Sequence, residues 1–239
     1  MHRSGGPEYH VSEPALADIR NELERLCYPS EKMGSTIDSI RHHEDYSFGR
    51  KERPLTLECL ILQDADRLDA SGAVGVARCC YSSAALGCPM GTPDDMHPLE
   101  EKYTVGQLTS AIQHFYTKLL HLKDNMNTEY ARHLARGRHD CLVEFLQRFR
   151  DEWGHGLDDL GALGIAHRFY DAASLGLSMG TPDDMSGDSR AVPVSAVQDL
   201  YFRTVRGRSV GANTIDIVDR LDYMAEFLER FRKEWEGKL

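Results

Sequence analysis

The segment ILQDADRLDASGAVGVARCCY, residues 61–81, gives the strongest structural signal in this chain. Its first part places three aspartates, Asp64, Asp66 and Asp69, within six residues of an apolar helical pattern, and glycines and alanines recur in the part that follows. A carboxylate buried among apolar side chains is strongly unfavourable unless a partner offsets its charge. The segment therefore predicts two helices that meet at a bend near Gly72, with acidic side chains that need partners.

Apolar side chains lie on almost every side of the first of these helices. On a helical wheel Asp64 falls within the stripe that begins with Leu57 and Ile61, while Asp66 lies nearly opposite, beside further apolar residues. A helix that is apolar all round is typically buried. We therefore expect each of the two carboxylates to meet an arginine, cap a helix or bind a metal, and Asp69 to act as a turn or capping residue.

The chain contains an internal repeat. Residues 68–96 align without gaps on residues 157–185, with 17 of 29 positions identical, and both segments end in MGTPDDM. Further on, FLQRFRDEW (145–153) matches FLERFRKEW (227–235) at seven of nine positions. The match extends over a unit of about 90 residues, which indicates duplication of a structural half and not a solenoid of short repeats.

The repeat predicts two domains, residues 1–153 and residues 154–239. With the offset of 89 residues, Asp66 corresponds to His155, so the second domain lacks the carboxylate of the first. What it keeps is glycines, aromatic residues and the MGTPDDM loop, which are packing features. We expect a structural second domain whose apolar faces cover helices of the first, as an intramolecular counterpart of a dimer contact.

Helical patterns account for most of the chain, and no segment alternates as a strand does. The predicted helices cover residues 13–26, 30–40, 55–68, 111–122, 129–153, 197–205 and 215–235, with glycine-rich helices after residues 72 and 161. The predicted fold class is all-α.

Composition excludes several functions. A net charge of -10 argues against binding a nucleic-acid polymer. Six cysteines show no CxxC spacing, which favours free thiols in a reducing compartment. No apolar run approaches the length of a membrane span and the N-terminus lacks the pattern of a signal peptide, so we expect a cytoplasmic protein with no membrane partner.

Three motifs together resemble a known family. QDADRLD with the following GAVGVAR, IRHHEDYSF at residues 40–48, and residues 112–146 are similar to the HD (histidine–aspartate) superfamily of metal-dependent phosphohydrolases, and the resemblance covers residues 29–153. It implies a helical bundle, a divalent metal cation (Mn, Mg, Fe, Ni or Zn) as cofactor, and a small phosphorylated molecule or nucleotide as substrate. A homo-oligomer is a further expected partner.

The resemblance also implies roles for individual residues. Asp66 matches the family's distal metal-binding aspartate, with Asp64 as the alternative ligand. His43 matches a histidine beside the metal, so His43 and Asp66 are the candidates for both metal binding and catalysis. Lys118 and Arg78 match basic positions that either face a phosphate or serve as structural ion-pair partners.

One part of the family's pattern has no counterpart here. The family holds its metal with an early histidine, an adjacent His-Asp pair and the distal aspartate, whereas the residues before Ile40 contain only His2 and His10. The dipeptide His139-Asp140 falls in a late helix and does not match the metal pair. One carboxylate and one histidine rarely hold a catalytic divalent ion. We therefore expect an impaired hydrolase of phosphate esters or nucleotides; the alternatives are a non-catalytic HD-like scaffold and an incomplete gene product.

Overall fold

The structure, a computed structural model, describes residues 12–43, 55–97, 110–156, 159–209 and 214–238. These residues form α-helices and short 3₁₀ segments, with one isolated bridge between Ser178 and Ser195, so the all-α prediction is confirmed. Nine α-helices lie in the described ranges: α1 (Glu13–Arg25), α2 (Ser30–His42), α3 (Leu57–Asp69), α4 (Gly72–Ala85), α5 (Ala111–Thr117), α6 (Glu129–Glu152), α7 (Gly161–Ser174), α8 (Ala196–Ser209) and α9 (Ile215–Trp235).

The first two helices form a small hairpin with a core of its own. The Ser12 side chain accepts a hydrogen bond from the Ala15 amide and so caps α1, as its position before Glu-Pro predicts. Leu16 of α1 packs with Met33 and Ile37 of α2 in a cluster separate from the main core. Because α2 contacts α3, this hairpin lies beside the helix that carries the aspartates.

The prediction that α3 is buried on all sides is wrong. Leu57 and Ile61 are 62% and 52% exposed, whereas the buried side of the helix is mostly polar and includes Gln63, Asp64 and Arg67. An apolar stripe indicates which side of a helix can be buried, but the buried side here is the one whose polar groups find hydrogen-bonding partners. The helix is therefore held by polar contacts on its inner side.

Helix α4 lies at the centre of the molecule and is buried along most of its length. It packs against α6, which like α4 lies in residues 1–153, called the first half below. It also packs against α7 and α9 of residues 154–239, called the second half. One hydrophobic core contains residues of all four helices, among them Val76, Phe145, Phe169 and Phe227. The division at residue 153 stays a prediction, while the expected contact between the two halves is present.

The predicted helix at residues 111–122 is interrupted. Helix α5 ends at Thr117, Lys118 leaves the helical conformation, and a 3₁₀ segment, Leu119–Asn125, leads to α6. The apolar side chains still point inward on both segments, since Phe115 and Leu122 are fully buried. The amphipathic pattern therefore predicted burial correctly but not the change of helix type.

Equivalent elements recur in the two halves. Helices α4 and α7 both have 14 residues and begin 89 residues apart. Each is followed by a 3₁₀ turn with a reciprocal capping box, Pro93–Asp95 after α4 and Pro182–Asp184 after α7. The repeated sequence thus adopts the same local structure twice.

Candidate functional site

The carboxylate of Asp64 anchors the start of the long helix α6. It is almost fully buried, and its two oxygens accept hydrogen bonds from the backbone amides of Asn127 and Thr128, each at 2.7 Å. The guanidinium of Arg67, one turn along α3, lies 3.8 Å from the same carboxylate. Amides at a helix N-terminus lack intrahelical partners and favour negative charge. Both partners that the sequence predicts, an arginine and a helix cap, are therefore present.

Two neighbours of Asp64 extend this polar contact. Gln63 donates to the carbonyl of His42 at 2.7 Å and accepts from the side-chain amide of Asn127 at 3.1 Å. Arg67 donates to the carbonyl of Asn125 at 2.6 Å. The inner side of α3 thus joins the end of α2 to the start of α6. Sequence reasoning missed Gln63 and Arg67, although the spacing of three residues from Asp64 to Arg67 is a signal for a paired charge.

The structure brings the elements that carry His43 and Asp66 together. His43 follows the last residue of α2, and its Nδ1 lies 2.6 Å from the carbonyl of Ile40. Asp66 is partly buried in α3, one turn after Gln63, and its backbone carbonyl accepts from the amide of Ala70. Gln63 thus joins the end of α2, which His43 follows, to the helix that carries Asp66.

The two basic candidates lie in different surroundings. Arg78 forms an ion pair with Asp69, and these side chains are 46% and 57% exposed, so the alternative of a structural ion pair is the one observed. Lys118 is partly buried at the junction between α5 and the 3₁₀ segment. Burial, and then the nearby charge of Lys118, lower the pKa of His114 to about 4. Of the two basic candidates, Lys118 is therefore the less exposed one.

The described residues do not by themselves form a metal site. Within the ranges that the structure describes, no group of three or more His, Cys, Asp or Glu side chains is placed to hold a metal ion. The carboxylate of Asp64 already accepts two backbone amides. This leaves Asp66 and His43 as candidate ligands, fewer than a catalytic divalent ion requires.

Two buried cysteines are held in the thiol form. All six are free thiols, as predicted. Burial raises the pKa of Cys80 to about 12, and burial followed by the charge of Glu234 raises that of Cys141 to about 12. Neither of these two thiols forms a thiolate at neutral pH.

In the part of the chain that the structure covers, no helix has the length and apolar character needed to cross a bilayer.

Comparison with known proteins finds several similar chains. No protein-family model matches it. The chain is similar to HD-superfamily hydrolases: an HD-superfamily hydrolase from Bacillus thuringiensis is 31% identical, with 60% of this chain and 64% of that chain covered and a TM-score of 0.46. The comparison thus bears out the predicted resemblance as a similarity to HD-superfamily hydrolases.

Two further proteins are similar to this chain. A protein from Lactobacillus plantarum of known crystal structure is 34% identical over 59% of this chain and 68% of that chain, with a TM-score of 0.51, and this chain belongs to the same family. The uncharacterized protein YpgQ of Bacillus subtilis strain 168 is 42% identical over 101 residues, so this chain spans 42% of the length of that curated relative. YpgQ has also been crystallised in complex with ADP. The chain in that structure is 30% identical to this one, the match covers 59% of this chain and 64% of that chain, and the TM-score is 0.43.

Proposed function

We propose that this chain is an HD-type phosphohydrolase that binds a nucleotide and has impaired turnover. The main support is its 42% identity over 101 residues with YpgQ, a protein crystallised with ADP. The nucleotide would bind where the end of α2 meets α3. The hydrogen bond from Gln63 of α3 to the carbonyl of His42, the last residue of α2, supports this location.

The roles proposed for the candidate residues follow from their surroundings. Asp66 and His43 are the candidate ligands of a divalent cation (Mn, Mg, Fe, Ni or Zn), and Lys118 faces a phosphate. Arg78 is the weaker candidate for phosphate, because Asp69 already pairs with it. Asp64 serves as the anchor of α6, since its oxygens accept two backbone amides. In the part of the chain that the structure describes, two candidate ligands are too few for a catalytic cation, which is the reason for proposing impaired turnover.

We further propose that residues 154–239 are a diverged copy of the corresponding part of residues 1–153. The equal lengths of α4 and α7 and the paired 3₁₀ turns support this duplication. The second copy has a structural role, since α4 packs against α7 and α9.

The second candidate function is a non-catalytic scaffold. One observation favours it: the carboxylate of Asp64, at the centre of the most specific motif, is engaged in holding two helices together. In a scaffold this motif would be retained for folding alone, and neither nucleotide nor metal would bind.

Titration of ADP into the purified chain, followed by isothermal titration calorimetry, separates the two functions. Lys118→Ala removes the proposed phosphate contact, and Arg203→Ala is the matched control. Both residues stand eight positions after a helix-capping serine, Ser110 and Ser195, and Arg203, which lies 3.5 Å from the carboxylate of Asp159, has no role in the proposed site.

We expect wild type and Arg203→Ala to bind ADP equally and Lys118→Ala to bind about tenfold more weakly, as loss of a charged hydrogen bond costs about 1.5 kcal/mol or more. Circular dichroism checks that both variants fold. If wild-type protein gives no binding heat with ADP, the nucleotide proposal is refuted and the scaffold is favoured.

A further inference from the structure

A glutamate from the second half binds the start of α4. Glu234, near the end of α9, is only 6% exposed, and its Oε2 accepts a hydrogen bond from the backbone amide of Val74 at 3.0 Å. The approach is so close that a Cβ atom at Gly72 would lie 2.3 Å from Oε1 of Glu234, and Gly72 has a φ of +69°. Only glycine is compatible with both the conformation and the contact.

A second contact holds the other side of the bend between α3 and α4. Arg138 of α6 is 8% exposed and donates from Nη1 to the backbone carbonyl of Leu68 at 2.7 Å. The hydroxyl of Ser71 donates to the same carbonyl at 2.8 Å. Leu68 is two residues after Asp66, so the fixed point lies within one turn of that carboxylate.

Arg138 and Glu234 also support each other. Nη2 of Arg138 lies 3.5 Å from the backbone carbonyl of Glu234, and the Arg138 charge stabilises the Glu234 carboxylate. Burial is nonetheless the larger effect and raises the pKa of Glu234 above its ordinary value. The bend is therefore held by a buried pair contributed by α6 and α9.

A glutamate from the first half likewise binds the start of α7 in the second half. Glu152, at the end of α6, accepts from the backbone amide of Leu163 at 3.2 Å, and a Cβ at Gly161 would lie 2.3 Å from its carboxylate. Arg220 of α9 lies 3.9 Å from Glu152, as Arg138 lies near Glu234. Each half thus supplies the glutamate that binds the central helix of the other half. The difference is that α4 follows the helix with Asp66, whereas His155 holds the corresponding place before α7.

We infer that Glu234 is a positioning residue for the candidate site, because it fixes the bend that sets the position of Asp66. This inference rests on the proposed function for its effect on ligand binding. Helix α3 is a rigid rod of 13 residues, so displacement of its C-terminal end moves every side chain near that end. The second half, although it lacks the aspartate, thereby completes the site of the first.

The test uses two matched pairs of full-length variants, Glu234→Ala with Glu152→Ala, and Glu234→Gln with Glu152→Gln. Glutamine keeps an oxygen that can accept the amide, so it provides the rescue within each pair and replaces the alanine pair if an alanine variant does not fold. Hydrogen exchange is measured over residues 66–74 and 159–165, and ADP affinity by calorimetry.

We expect Glu234→Ala to increase exchange over residues 66–74 about tenfold and to weaken ADP binding by about the same factor, with partial recovery in Glu234→Gln. Glu152→Ala should increase exchange only over residues 159–165 and leave ADP affinity unchanged. Equal effects of the two substitutions on ADP binding would overturn the positioning role.

The exchange measurement needs no ligand, so it stands even if the proposed function fails. Unchanged protection of residues 66–70 in Glu234→Ala or, where that variant does not fold, in Glu234→Gln would overturn the inference by itself. Absence of ADP binding in wild type together with increased exchange in the folded Glu234 variant would refute the proposed function but confirm that Glu234 holds the bend beside Asp66.

Discussion

Substitution of Asp64 tests whether the most specific motif of the chain acts through structure or through a ligand. In Asp64→Ala, the amides of Asn127 and Thr128 lose their acceptor at the start of α6. Arg67 also loses a carboxylate at 3.8 Å while it stays buried. The change therefore removes one interaction from each of these three groups.

The magnitude follows from these contacts. A hydrogen bond to a charged acceptor contributes about 1.5–3 kcal/mol, and two are lost, so we expect the free energy of unfolding to fall by about 3–6 kcal/mol. This is a large share of the roughly 5–15 kcal/mol by which domains are stable. The control is Asp69→Ala, which breaks only the exposed ion pair with Arg78 and should cost less than about 1 kcal/mol.

Urea denaturation of wild type and the two variants measures both losses. A loss below about 1 kcal/mol in Asp64→Ala would refute the anchoring role, because no rearrangement of solvent could replace two buried acceptors at so small a cost. Mn²⁺ binding that disappears in Asp64→Ala with stability retained would show instead that this carboxylate is a metal ligand.

Two further predictions concern glycine and histidine positions. Gly72→Ala should lower the free energy of unfolding by about 2–4 kcal/mol, because the left-handed conformation and the carboxylate of Glu234 both oppose a side chain. Gly137→Ala should raise the free energy of unfolding by about 0.5–1 kcal/mol, because Gly137 lies in α6 with open space around it. Thermal melts of the two variants check this. The pKa of His114 is lowered from 6.5 to about 4, chiefly by burial and also by Lys118, so the unfolded chain binds more protons between these values and stability should fall as the pH is lowered from 6.5 to 4. His114→Gln should reduce that fall by about 2 kcal/mol in urea unfolding measured across the same pH range, and an identical pH dependence in both proteins would contradict the assignment.

Local signals in the sequence predict much of the helical structure. The capping serine before α1 and Thr128 before α6 lie where the amides of the first turn need acceptors, and α9 begins and ends where its apolar repeat does. One partner of Asp64 was also within reach of sequence reasoning, since Arg67 lies one turn away on the same helix.

What the sequence could not supply is contact over long distance. Glu234 and Val74 are separated by 160 residues, so nothing near Gly72 reveals why glycine is required there. The exposed side of α3 was missed for a similar reason. Leu57 and Ile61 have the pattern of core residues, but the partners that decide which side is buried come from the start of α6, more than 60 residues away.

A ³¹P NMR spectrum of ADP, recorded with Mg²⁺ in the presence of this chain, reports nucleotide binding and hydrolysis together and so tests the proposed function. The proposed function predicts that the ADP signals shift and broaden as protein is added, while inorganic phosphate appears no faster than in a protein-free sample. Unperturbed ADP signals would contradict nucleotide binding, and rapid growth of the phosphate signal would contradict impaired turnover.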